Sequence, residues 1–238
     1  MNTIRHRASA DNATNESGGV SKQQIEAARY VVLRRLTPSL RHHLVRPLQP
    51  IGLIHSVMSH KLCEPTPDLQ ALRLQVEKID GLATSALAEC LDVGTWLAPE
   101  PGTLTRLGAG ITECIGLMAT TLHFCGFHLV NEIAAPPVSV DRDALRMVLI
   151  AAMFEMTDAL TVPATLNLSA SLDRGDARLL LQFSPLDEGR LDRYDDGYRN
   201  VSWDDVQALA AAGDVRLSRQ GNGVAMHFSV RAATELLH

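Results

Sequence analysis

The stretch SLRHHLVRPLQPIGLIHSVMSHKL, residues 39–62, sets two adjacent histidines, His42 and His43, in a helical pattern and follows them with Pro47 and Pro50. An imidazole nitrogen held in solvent is a nucleophile or a proton carrier, so its chemistry depends on where the ring points. At about 100° per residue, Leu36, Leu40, Leu44, Leu48, Ile51, Ile54, Met58 and Leu62 fall within an arc of roughly 120°. His42 lies nearly opposite the centre of that arc and is expected to face solvent. His43 sits off one edge, where a partly buried, hydrogen-bonded histidine is ordinary. On the outward side with His42 come Arg35, Arg46, Gln49 and Leu53, with Val57 a turn further on. Exposed apolar groups at Leu53 and Val57 point to a partner surface. Pro47 has no N–H and crowds the carbonyl of residue 43, which costs about 3 kcal/mol in a regular helix interior. The bend it implies frees a carbonyl beside an exposed imidazole, as suits a site where a partner domain docks. Pro50 implies a further bend.

Other reactive side chains form no second constellation. His55 and His60 are five apart, on different helix faces, which argues against a two-histidine metal grip. His123, His128 and His227 fall on separate elements, and His6 and His238 read as solvated. Cys63, Cys90, Cys114 and Cys125 lack C-x-x-C spacing and sit in apolar helical surroundings, the pattern of buried reduced thiols. No metal site or bound cofactor is expected.

The elements that position His42 follow from the flanking pattern. With 238 residues there is room for one large or two modest domains. A net charge of −5, no basic stripe and only 4% aromatic residues argue against a nucleic-acid partner. No run approaches about 18 apolar residues, and the first twenty residues lack a signal-peptide core, so a soluble cytoplasmic chain without membrane contact is expected. Residues 1–20 read as an unstructured polar tail. Ser21 with Gln24 offers a capping box for a helix running to about Leu62. CEPTPD makes a turn, and Thr66 followed by Pro67 reads as the N-cap and first position of a second helix, about 67–97. That helix carries Leu69, Leu72, Val76, Ile79, Ala83, Ala86 and Cys90 on one face, with Asp92 as a surface acid and Trp96 as a packing anchor near its end. Such a hairpin cannot bury its stripe alone. A homodimeric four-helix bundle would cover it; the alternative is cover by the second half of the same chain.

HHLVRPLQPI resembles the H-box of sensor histidine kinases. His42, Leu44, Pro47, Leu48 and Ile51 match its pattern, while Val45 replaces the usual arginine and His43 stands where an acidic residue is expected. The resemblance implies a dimerisation and phosphotransfer domain over 21–98 in which His42 carries the phosphoryl group.

The second half, 99–238, alternates helices with short strands. A helix through Leu107, Ile111, Ile115, Met118 and Leu122 precedes a strand at 127–133, and a helix at 140–160 is capped near Asp141. TLNLSASL and ARLLLQFS flank a DRGD turn, a helix ends at Gly213, and DVRLSR and GVAMHFSV close as a hairpin. The fold class is therefore α+β: a long helical hairpin followed by an α/β sandwich with one helical layer on a mixed sheet. This order resembles the ATP-binding domain of histidine kinases. In the helix resembling its N-box, however, Ala151 and Glu155 stand where the family has asparagines. SPLDEGR lacks the family's Asp-x-Gly-x-Gly turn, and RYDDGYRN stands in place of its glycine-rich lid. The scaffold is kept and the ATP chemistry lost.

Two functions remain. One is a phosphorelay histidine phosphotransferase that takes a phosphoryl group from an aspartyl phosphate on a response-regulator receiver and passes it to another, the receiver supplying Mg²⁺. His43, Arg46, Gln49, Leu53 and Val57 would then contact the partner. The other is an adaptor or pseudokinase that dimerises and binds a signalling partner without phosphorylation.

Overall fold

The computed structural model describes residues 20–131, 136–186, 197 and 199–231. Helix α1 (Lys22–Val45) starts at the expected capping box: the Ser21 hydroxyl accepts from the Gln24 N–H, and the Gln24 side chain accepts from the Ser21 N–H. The helix does not run unbroken to Leu62. A turn at 46–48 divides it, and α2 occupies Gln49–Leu62. Pro47 is the cause, since it cannot donate to the His43 carbonyl, and the Leu48 N–H goes instead to Val45 O at 3.1 Å. Pro50 makes no second bend. It is the second residue of α2, where a helix leaves its N–H groups unused in any case. Pro38 also lies inside α1, a proline that the apolar spacing passes over.

The return helix α3 (Leu69–Leu97) starts later than expected. Asp68, not Thr66, is its N-cap, because the Asp68 carboxylate accepts from the N–H groups of Gln70 and Ala71 at 3.0 Å each. Strand β1 (Leu104–Arg106) leads into α4 (Leu107–Phe124), β2 (Phe127–Asn131), β3 (Ser139–Asp141) and α5 (Arg142–Ala159). Then come β4 (Ala164–Asp173), β5 (Asp176–Pro185), α6 (Trp203–Ala212), β6 (Arg216–Gln220) and β7 (Gly223–Ser229). β1 and β3 form a short antiparallel ribbon too brief to stand out in the sequence. The main sheet has the order β2-β4-β5-β7-β6, parallel at β2–β4 and antiparallel elsewhere. All but the last residue of the tail expected at 1–20, the end of the strand expected at 127–133, the end of SPLDEGR, most of RYDDGYRN, His6 and His238 lie outside the described residues.

Alternation builds the sheet's buried face from Ala164, Leu166 and Leu168 on β4, Ala177, Leu179 and Leu181 on β5, and Val224, Met226 and Phe228 on β7. The β4–β5 turn needs two positive φ angles, which Arg174 (51°) and Gly175 (90°) supply. α5 is buried continuously from Ala144 to Phe154, as expected of a helix enclosed on all sides. α6 ends against it at Gly213, where a Cβ would lie 2.6 Å from Ala144 Cβ.

The first half of α1 packs into this second unit. Ala28, Val32, Leu36 and Leu40 are buried, and α1 contacts α4, α5 and α6. Each large aliphatic side chain so covered contributes roughly 1.5–3 kcal/mol. Arg29 pairs with Asp143, and the Ser39 and Thr121 hydroxyls lie 2.9 Å apart. Arg35, expected on the outward side, instead pairs with Asp158 and lies 4.2 Å over the Phe154 ring, because α5 occupies that side. The chain's own second half therefore covers the beginning of the stripe. Beyond it, α2 has no buried residue, and α3 buries only Leu72, Ala86 and Trp96. The cysteines divide in the same way: Cys114 is buried, whereas Cys63, Cys90 and Cys125 are exposed rather than buried as expected. Burial pushes the Cys114 thiol well up from its ordinary value. Among the described residues no helix is long and apolar enough to cross a membrane.

Candidate functional site

His42 and His43 occupy the last turn of α1, just before the Pro47 break. The His42 ring is exposed and has no hydrogen bond or ion pair among the described residues. It meets the His43 ring edge-on, with centroids 6.5 Å apart and planes at 84°. His43 is half-buried and turned toward α3, its Nδ1 3.6 Å from Glu89 Oε2. That separation is an ion pair when His43 is protonated and too long for a hydrogen bond. Arg46 reaches the other Glu89 oxygen at 3.4 Å, so one carboxylate of α3 faces both basic side chains. The two histidines thus differ: one faces a carboxylate across the hairpin, and one is open.

Of the other candidate residues, Gln49, Leu53 and Val57 are exposed along α2, Leu53 at 69%. Arg46 is exposed but shared with Glu89 rather than directed only outward. Glu89 itself escapes the sequence pattern, because its role depends on the register between two helices and not on spacing within one. Leu44, Ile51, Ile54 and Met58 are half-buried, while Leu48 and Leu62 remain exposed. A cleft of about 360 Å³ opens beside His42, between the end of α1 and the last turns of α4.

What fixes this corner of the hairpin is a buried cation at its base. Arg146 on α5 is 2% exposed, and its guanidinium lies 4.3 Å over the Trp96 ring of α3. It donates to Thr95 Oγ1 at 2.8 Å and to Asp92 Oδ1 at 3.1 Å, and it also pairs with Glu113 of α4. Arg142 adds a second donor to Asp92 at 2.9 Å. Trp96 is the inter-unit anchor expected of it. Asp92 is no plain surface acid, because two arginines of α5 converge on it. A buried guanidinium is tolerated only with such partners; its Nε has none among the described residues.

On α5, Ala151 is fully buried, and the Glu155 carboxylate pairs with Arg219, whose guanidinium lies 4.2 Å over Trp203. Among the described residues no group of three or more His, Cys, Asp or Glu side chains gathers as a metal site.

No protein-family model matches the chain, and no curated protein matches it. Its neighbours among solved structures are mainly histidine kinases. A histidine kinase from Burkholderia phymatum shares 17% identity over 90% of this chain and 100% of its own, with a TM-score of 0.41. Histidine kinase AdeS of Acinetobacter baumannii shares 16% over 80% of this chain and 98% of its own, with a TM-score of 0.42. A bacterial phosphotransferase shares 13% over 89% of this chain and 98% of its own, with a TM-score of 0.39.

Proposed function

We propose that this chain is a phosphorelay histidine phosphotransferase whose phosphoryl carrier is His42. The observation that supports it most is the inequality of the pair: the His42 ring is open to solvent with no hydrogen bond or ion pair among the described residues, while the His43 ring is half-buried and faces Glu89. A neutral imidazole Nε2 at His42 attacks the phosphorus of a receiver's aspartyl phosphate in line. The N–P bond forms as the acyl P–O bond breaks, and the aspartate leaves as a carboxylate. A second receiver's carboxylate takes the group by the reverse step. The receiver brings the Mg²⁺ that neutralises the phosphoryl oxygens.

The reading excludes ATP as the donor on the chemistry of α5. Glu155 spends its charge on Arg219, and Ala151 offers no polar group, so the residues present do not fit a nucleotide with its metal. The exposed apolar residues of α2 and α3 support a homodimer through a four-helix bundle, since a stripe of this length calls for cover.

Incubation with phosphorylated receivers tests the reading. Acid-labile label is expected on wild-type protein and on His43→Ala, and is expected to vanish in His42→Ala. If no receiver labels the wild type, the chain is an adaptor. Binding of ATP at micromolar affinity overturns the ATP-independent part.

A further inference from the structure

Arg46 stands one helical turn after His42, and the Arg46 N–H donates to the His42 carbonyl at 3.0 Å, so the register of α1 holds through both residues. Side chains four apart on a helix are neighbours on one face, about 5–6 Å between Cβ atoms. The Arg46 side chain is 63% exposed, and its guanidinium leans on Glu89 of α3, at 3.4 Å from one oxygen. Glu89 is its only ion-pair partner among the described residues, and the second Glu89 oxygen faces His43 Nδ1. An exposed pair this loose contributes little and exchanges readily. A phosphoryl group offers more: roughly two negative charges and three acceptor oxygens, which a guanidinium fork meets with two bonds at once. Within one turn of the proposed carrier there is thus a long cation held by a weak competitor.

We infer that Arg46 is a charge clamp for phosphorylated His42, and that Glu89 is the carboxylate from which it is drawn. The inference rests on the proposed function and adds what governs the carrier once it is loaded. Before transfer, Glu89 holds the guanidinium toward α3, and the imidazole nitrogen stays free to attack. Once the phosphoryl group is on His42, Arg46 exchanges the Glu89 carboxylate for phosphoryl oxygens, and Glu89 is left to His43. No covalent bond is made or broken beyond the transfer already described. The exchange sets how the phosphoryl group divides between His42 and the receiver. The clamp draws it onto the histidine, whereas the Arg46–Glu89 pair and the repulsion between carboxylate and phosphoryl oxygens return it.

The test is the equilibrium constant for phosphoryl exchange between the full chain and a purified receiver of the same organism. It is read from the label on each protein at concentrations where little complex forms, so docking affinity does not enter. If no receiver labels wild-type protein, the proposed function fails, and this inference with it. With a labelling receiver in hand, Arg46→Gln is expected to shift the constant about tenfold toward the receiver, the size of a lost hydrogen bond to a charged group. Arg46→Lys is expected to recover part of that shift, since it keeps the charge and loses the fork. Glu89→Gln is expected to shift the constant about threefold the other way, a gain expected to disappear in the Arg46→Gln background. Arg73→Gln and Glu77→Gln, which break an exposed pair elsewhere on α3 with the same changes of charge, are the controls and are expected to leave the constant unchanged. An unchanged constant in Arg46→Gln overturns the inference while the proposed function stands; forward and reverse rates that fall together would make Arg46 a docking contact instead. A Glu89→Gln gain that persists undiminished in the Arg46→Gln background, or an equal shift in the controls, overturns it too.

Discussion

The near and far halves of the α1–α3 hairpin carry similar apolar spacing and meet opposite surroundings. Near the second unit, Ala28, Val32, Leu36 and Leu40 are sealed against α4, α5 and α6, and Trp96 is closed over by Arg146. Past the Pro47 break, α2 buries nothing and Leu53 stands in solvent; on α3, Leu87 and Leu91, which flank Glu89 opposite the break, are exposed as well. An apolar face in a sequence announces that something must cover it, but not what. In the near half the cover is 80 to 180 residues away in the same chain; in the far half, a second copy is the cover proposed.

The sharpest way to break this contrast is truncation on each side of it. Leu36→Ala is expected to cost about 2–5 kcal/mol of unfolding free energy by urea titration, as a cavity in a packed core does. Leu53→Ala is expected to stay within about 0.5 kcal/mol. Equal losses would erase the distinction. Next in size is the cover of the exposed apolar face of α3 opposite the break. Leu87→Lys with Leu91→Lys is expected to weaken self-association by about 2 kcal/mol or more, roughly 30-fold, read as a shift to monomer in sedimentation. A mass independent of both substitutions sinks the bundle.

The smallest effect concerns α6, which covers the near half alone. Burial works to raise the Asp205 carboxyl, but hydrogen bonds from Arg199 and from the Ser202 N–H and hydroxyl, with the Arg199 charge, outweigh it and hold it below its ordinary value. A carboxylate lowered by folding stabilises the fold above its unfolded value, about pH 3.9, and loses that contribution as pH falls through the folded one. Asp205→Asn is expected to cost about 1 kcal/mol at pH 7, largely through the capping box. The gap from wild type is expected to narrow toward pH 3, as urea midpoints at the two values would show. Amide exchange around Val32 should follow the change, and that around Leu53 should not.

Much of this was legible residue by residue. The Ser21–Gln24 box, the Asp141 cap, the Gly213 stop and both hairpin turns lie where local chemistry places them, since each depends on neighbours within four residues. The open His42 was readable from the helical wheel. Arg35 misled, because a wheel shows which face is polar and not that Asp158, 123 residues on, will bring an acid to it. Glu89 was invisible for the same reason: its partners are set by the register of two helices. The helix break is half legible: the sequence shows the strain at Pro47, whereas Pro50, which reads as a second bend, sits unstrained in the first turn of α2.

The break at Pro47 also has a mechanical meaning. An unbroken helix transmits torque along its ladder of hydrogen bonds, so a twist at one end turns every side chain on it. Here the ladder is interrupted at the His43 carbonyl, and α1 on the near side is clamped by Arg29 and Arg35 to α5. The ladder of α2 is thus not continuous with the ladder that carries the imidazole. His42 rides on the anchored arm, and its aim is set by the body of the protein and not by the tip.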